Sequence, residues 1–396
     1  MQNFIQYAPT EVVFGKGTEM EAGAEVAKWG GSRVLLVYGG GSAKKSGLIS
    51  RVEKSLTEAG IYWEEFGGAK PNPTMAHAIL GVEQALRIGA DFILAVGGGS
   101  TIDTAKAIAH GTANPEVSLE DIWAKKVPLE KSLPHAAILT IPAAGSEMSD
   151  SAVLTNEEKH TKGGINTPFN RCKFAILNPE LAFTLPAYQL ACGITDIMMH
   201  TLERYFIPEI TCDMTDALAE GLLRTVIKHG RIVLSDKENY DSMAEIMWCG
   251  SLSHNNLTEC GRGKDFSVHK FGHALSAMFD VAHGASLAAV WGSWAEYLYQ
   301  EKGATERFAK YARNVWEVKK EQEDLACAKE GIKRTVDFFR EIGMPVSLTE
   351  LKVPHDDAVL KELAQKATLG DTVKLSRIRP LGAKEAEEIY RMAVEG

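Results

Sequence analysis

The chain has 396 residues, enough for two domains with a core each. Apolar residues at 45% and charged residues at 24% are ordinary for a globular protein, and a net charge of −9 without a basic stripe excludes a nucleic-acid partner, which would call for clustered Lys and Arg. The first thirty or so residues lack a signal-peptide pattern. No apolar run is long enough to span a bilayer, so a cytoplasmic protein without membrane contact is expected.

Residues 11–14 read as a short strand, Gly15 and Gly17 as a turn, and a helix follows as far as Gly30 and Gly31. The run at 33–38 is apolar without alternation and leads straight into Gly39, Gly40, Gly41 and Ser42. Continuous apolarity predicts a strand covered on both faces, hence a parallel sheet between helices. A helix over 48–59, a strand over 61–66 and a turn at 71–74 come next, and Thr74 caps a helix running to Ile88. The unit then repeats, with an apolar run at 91–96, the turn Gly97, Gly98, Gly99, Ser100, and a helix through Asp103 and Lys106. Two such units in succession predict a doubly wound, Rossmann-like domain.

Another buried strand at 135–141 ends in a loop at 142–146. The pieces at 151–155 and 173–177 bracket a polar loop containing Lys162 and are expected to form a hairpin-like extension. Beyond Pro186 helical periodicity dominates. The expected organisation is therefore an α/β dinucleotide-binding domain over 1–185 and an all-helical, metal-binding domain over 186–396, without internal repeats. Cys172, Cys192, Cys212, Cys249, Cys260 and Cys327 form no Cys-x-x-Cys pair and read as reduced, buried small hydrophobes.

A glycine turn after a buried strand lets the backbone approach a ligand, and the following helix aims its free N–H groups at it, which suits a pyrophosphate. Either turn alone is equally a tight turn without a ligand; two at equivalent places point to a nucleotide. In such folds a carboxylate at a strand end binds the ribose 2′-hydroxyl and repels a 2′-phosphate. After Tyr38 come no acid and two cations, Lys44 and Lys45, so NADP(H) is expected in preference to NAD(H).

In the second half, Asp196 and His200 are four apart, as are His269 and His273, and on a helix each pair shares a face. With His283 they can gather on a divalent cation. The flanking residues are apolar, and burying such groups unpaired is costly. Spacing alone leaves open a chance set of satisfied histidines.

Taken together, these features make the sequence resemble the iron-containing alcohol dehydrogenase family, in its NADPH-dependent butanol dehydrogenase and aldehyde reductase branch. The resemblance rests on the turns at 38–42 and 97–100 with Asp103 and Lys106, on Pro71, Asn72 and Pro73, on the stretches at 142–147 and 178–181, on 193–196 with His200 and Glu203, and on the block from His269 to His283. It spans essentially the whole chain.

The resemblance implies Asp196, His200, His269 and His283 as ligands of one Fe(II) or Zn(II), with His273 beside the nicotinamide as a candidate proton relay. It implies cofactor contacts from Gly39, Gly40, Gly41, Ser42, Asn72, Gly98, Gly99, Ser100, Asp103, Thr140, Ser149 and Lys162. The implied reaction is reversible hydride transfer between NADP(H) and short-chain primary alcohols or aldehydes, in a homodimer. Asn178, where the family commonly has an acid, and the short loop at 142–145 depart from the pattern. A polyol, glycerol or sugar-phosphate dehydrogenase is the nearest alternative, and a phosphorylated substrate would draw on Arg262, Lys264 and Lys270. A non-catalytic metal- or nucleotide-binding module is another; a metal-dependent hydrolase would leave both glycine turns without a purpose. Met198, Met199, Phe266 and Phe271 stand at helical spacings and are expected in the core.

Overall fold

The computed structural model describes residues 1–159, 161–208, 212–319 and 322–396. They fall into two compact units, one of Ala8–Thr184 and one of Leu185–Gly396 together with Met1–Tyr7.

In the first unit the chain runs β1 (Glu11–Phe14), α1 (Ala22–Lys28), β2 (Arg33–Tyr38), α2 (Ser42–Lys45), α3 (Leu48–Glu58), β3 (Tyr62–Phe66), α4 (Met75–Ile88), β4 (Phe92–Gly97), α5 (Gly99–Ala113), α6 (Leu119–Trp123), β5 (His135–Leu139), β6 (Ser151–Asn156), β7 (Thr161–Asn166) and β8 (Phe174–Leu177). Six strands form one sheet in the order β1-β8-β5-β4-β2-β3, every pair parallel. Parallel pairing needs helical crossovers, and these cover both faces. Val34, Leu36, Val96, Ile138 and Ile176 pack with Ala22, Val26, Val52 and Leu56 of α1 and α3. On α4 and α5, Met75, Ala78 and Ala107 form a second cluster with Leu119 and Leu154. Thr74 caps α4 as its sequence predicts, its side chain accepting from the His77 backbone N–H at 3.3 Å.

The expected hairpin between 151–155 and 173–177 is not what forms. β6 pairs antiparallel with β7, so Lys162 lies on a strand, while β8 joins the main sheet between β1 and β5. The reason is apolarity. All four β8 residues are fully buried and belong where both faces are covered, whereas β7 carries Thr161, Lys162, Gly163 and Gly164 and gives no strand signal of its own.

The second unit is helical: α7 (Ala187–Tyr205), α8 (Asp213–Ser235), α9 (Tyr240–Ser253), α10 (Ser267–Phe279), α11 (His283–Leu298), α12 (Ala304–Trp316), α13 (Asp324–Glu341), α14 (Leu348–Leu351), α15 (Asp357–Ala367) and α16 (Ala383–Met392). Leu287, Val290, Trp291, Trp294 and Leu298 form one apolar stripe of α11, Ala285, Ala288, Ala289 and Ala295 cover its other sides, and all nine are buried. A helix apolar all round sits at the centre of its domain. The first seven residues group with this unit, where the Gln2 N–H donates to Gly261 O at 2.7 Å and Gln6 Nε2 to Asn255 O at 3.2 Å. Among the described residues no helix is long and apolar enough to cross a membrane, and the six cysteines form no disulfide.

Candidate metal centre and nucleotide loops

Asp196 and His200 lie one turn apart on α7, and α10 brings His269 to them; one ligating atom from each of the three lies within 4.8 Å of the others. His283 joins them from the first position of α11. The Nε2 atoms of His200, His269 and His283 stand 3.5, 3.6 and 3.8 Å from Asp196 Oδ1. Gly284 makes this possible. A Cβ there would fall 2.1 Å from the Cys192 carbonyl oxygen of α7, so only glycine lets the first turn of α11 lie against that helix.

Asp196 Oδ1 and His269 Nε2 are both buried, and neither makes a hydrogen bond. An orphaned carboxylate oxygen and an orphaned imidazole nitrogen turned toward one point are costly unless a cation satisfies both. One carboxylate and three imidazoles suit Fe(II) or Zn(II), so the residues present fit a divalent metal. Burial, reinforced by His254 and His269 alongside, holds His200 well below the ordinary histidine range, leaving a neutral lone pair for coordination. Burial opposes charge on His269 too, but Glu203 and Asp196 outweigh it and raise its pKa.

Glu203 is the residue whose role the sequence did not disclose. Its Oε1 accepts from the backbone N–H groups of Val268 at 2.5 Å and His269 at 3.3 Å, and its Oε2 takes a short hydrogen bond from His269 Nδ1. It thus fixes the first turn of α10 and leaves Nε2 of His269 as the nitrogen that could ligate a cation. A carboxylate behind a ligating histidine is the usual way to orient it. The spacing of Glu203, one turn beyond His200 on the same helix face, was the available signal. His254 was missed altogether: its ring stacks on His200 with centroids 4.0 Å apart. Phe266, expected in the core, instead packs edge-on against His269 and His200 at 4.9 and 5.6 Å, whereas Met198, Met199 and Phe271 are fully buried as expected. His273 lies beside the set, its ring centroid 5.2 Å from that of His283.

In the first unit, β2 and β4 are neighbours, yet the chain leaves β2 for β3 on one side and reaches β4 on the other. Ligands of open parallel sheets bind beyond the strand ends at such a reversal. Both glycine turns lie there, Gly39 to Ser42 after β2 and Gly97 to Ser100 after β4. Gly97 has no room for a side chain, since a Cβ would lie 2.4 Å from Thr101 Oγ1. The Thr140 N–H donates to Gly97 O, so the loop after β5 borders the same place. Lys162 Nζ donates to Asn72 Oδ1 at 2.9 Å, which brings two expected cofactor contacts together.

Asp103 and Ser149 are engaged with the chain itself. Asp103 accepts from Ser146 Oγ at 2.6 Å and from the Val153 N–H at 2.9 Å. Lys106 Nζ, fully buried, donates to the Ser146 and Ser151 carbonyls at 2.7 Å and to Ser149 Oγ at 3.3 Å. These residues shape the loop that a dinucleotide would meet. Asn178 caps the turn after β8, accepting from the Glu180 N–H and donating to Glu19. Two cations that a phosphorylated substrate would need are taken: Arg262 is buried against Asp216 at 2.5 Å, and Lys264 lies 3.4 Å from Glu259.

The iron-containing alcohol dehydrogenase family model matches residues 9–179, and the model of the C-terminal region of the Fe-containing alcohol dehydrogenase family matches residues 190–394. NADH-dependent butanol dehydrogenase A of Clostridium acetobutylicum is 37% identical over 391 residues, covering 99% of each chain. The NADPH-dependent aldehyde reductase YqhD of Escherichia coli is 34% identical over 375 residues, covering 92% of this chain and 94% of its own. The crystal structure of NADH-dependent butanol dehydrogenase A from Thermotoga maritima superposes with a TM-score of 0.94 at 34% identity, covering 100% of this chain and 99% of that one.

Proposed function

Because the chain belongs to the iron-containing alcohol dehydrogenase family, we propose that it transfers hydride reversibly between a nicotinamide dinucleotide and short-chain primary alcohols or aldehydes. In this reading Asp196, His200, His269 and His283 hold one Fe(II) or Zn(II). NADPH is preferred to NADH through Lys44 and Lys45, and the working form is a cytoplasmic homodimer. The observation that carries the reading is the convergence of three imidazole Nε2 atoms on the unbonded Oδ1 of Asp196.

When bound, a divalent cation supplies Lewis acidity toward the substrate oxygen. The chain's own residues do the rest. Asp196 brings the negative charge that makes a cation welcome, Glu203 aims His269, and the ring of Phe266 shields His200 and His269 from water. His273, beside His283, is placed to hold the proton that joins the product oxygen. In the first unit, Gly39, Gly40, Gly41, Ser42, Gly98, Gly99 and Ser100 receive the phosphates, with Asn72, Thr140 and Lys162 around them. Asp103 and Ser149 hold the neighbouring loop. The nicotinamide provides the hydride; the protein provides position and field.

Relatives of both coenzyme types, NADH-dependent and NADPH-dependent, support dinucleotide use without choosing between the two. The test is oxidation of NADPH and NADH, followed at 340 nm, with butanal, a polyol and a phosphorylated sugar, on protein purified anaerobically. Turnover of butanal that a chelator abolishes and Fe(II) or Zn(II) restores is the expected result. Full activity in metal-free protein, or turnover confined to the polyol or the phosphorylated sugar, would refute it.

A further inference from the structure

The two lysines after β2 carry the expected preference for NADPH, and the fold places an acid against one of them that the local sequence does not show. Glu65 stands next to the end of β3, the strand beside β2, and in register with Leu36. Its Oε2 lies 2.5 Å from Lys44 Nζ and accepts from Tyr38 Oη at 2.5 Å. Lys44 Nζ also rests over the Tyr38 ring, 5.1 Å from its centroid. Tyr38 is the last residue of β2, so a carboxylate, a phenol and an ammonium meet where a doubly wound fold presents its strand end to the adenosine ribose. That place is one strand away from the turn at Gly97 to Ser100, with Tyr38 in register with Val96.

The charges decide what such a cluster does. A 2′-phosphate brings up to two negative charges and needs a cation that is not already neutralised. Lys44 is neutralised: its closest opposite charge is Glu65, and the pairing, first through Glu65 and then through Tyr38, raises its pKa, so the ammonium is charged but occupied. Burial works against charge on Glu65, but Lys44, Tyr38 and Glu53 outweigh it and lower its pKa, so the carboxylate stays ionised at neutral pH. A ribose 2′-hydroxyl meets no such repulsion and can donate to the same carboxylate.

We propose that Glu65 is the residue that sets coenzyme choice: by occupying Lys44 it holds the NADPH preference down and lets NADH be used as well. The proposal rests on the dinucleotide reading above, and its test separates the two. The Glu65→Gln change keeps the shape and the hydrogen bond from Tyr38 while removing the charge. The ratio of kcat/KM for NADPH to that for NADH should rise about two- to fivefold, carried by KM for NADPH, on the scale of exposed charge pairs. Adenosine 2′,5′-bisphosphate, a probe of the 2′-phosphate alone, should inhibit correspondingly more strongly, and adding Lys44→Met should reverse both gains.

A ratio within about twofold of the unaltered protein, while both coenzymes still turn over, overturns the role of Glu65 and leaves the dehydrogenase reading intact. If neither coenzyme binds or turns over in the unaltered protein, both fall. A rise that persists after Lys44→Met also counts against the proposal, because the gain would then not act through the lysine.

Discussion

Replacing Glu203 with glutamine removes one charge and keeps the shape of a fully buried side chain. In the native protein both carboxylate oxygens accept: Oε1 from the Val268 and His269 N–H groups, and Oε2 from His269 Nδ1. A glutamine amide can offer its oxygen to only one of these sides. Turned toward the backbone, it sets its NH2 against the His269 Nδ1–H; turned toward His269, it sets the NH2 against two backbone donors. In the first case His269 escapes the clash by moving its proton to Nε2, and then it can no longer ligate a metal.

A buried donor left without an acceptor costs about 1–3 kcal/mol. Metal affinity should therefore weaken by about 10- to 100-fold, the range found when the group behind a ligating histidine is lost. The assay is competition with a chromophoric chelator under anaerobic conditions, using Zn(II) and Fe(II) in turn, with far-UV circular dichroism to show that the fold is retained. An affinity within twofold of the unaltered protein would show that Glu203 does not govern the ligating state of His269.

Three further outcomes are expected. His110 is held down to about 3 by burial, which outweighs its hydrogen bond with Asn170; below the unfolded value of about 6.5 the unfolded chain therefore binds a proton that the folded chain refuses. Stability should fall with decreasing pH by about 1.4 kcal/mol per unit from that one group until pH approaches 3, and urea unfolding at pH 7 and pH 5 that differs by nothing at this scale would contradict the burial argument. The His273→Ala variant should bind metal normally but lose kcat and alter its pH profile; if both kcat and profile are unchanged, His273 is not the proton carrier. In Gly284→Ala the new methyl meets the Cys192 carbonyl, so α11 must move off α7 at a cost of about 1–3 kcal/mol. A lower Tm together with weaker metal binding is expected, and an unchanged melting curve would mean that the first turn of α11 is free to shift.

Much of the scaffold was legible before any coordinates. The apolar runs at 34–38 and 92–96, too short for helices and each followed by glycine, read as strands covered on both faces, and the glycine marks where a backbone comes close to something. Helical spacing paired Asp196 with His200 because that geometry is local. β7 was not legible, since its glycines and lysine lack strand character and are recruited by the edge that β6 offers. Periodicity places Phe266 in the core, but it stands at φ 61° just before α10, outside the helical repeat, and packs edge-on against His269 and His200.

Local chemistry in the sequence thus determined the two-part architecture, the glycine turns and the pairing of Asp196 with His200 on one helix face, because each depends on residues within a turn or a strand of one another. Tertiary structure alone decided which charges meet. Glu203 reaches His269 across 66 positions, His254 stacks on His200 from just beyond the end of α9, and Glu65 arrives at Lys44 from β3. Electrostatic energy depends on distance in space, and in each of these cases it is the packing of separate elements that sets that distance.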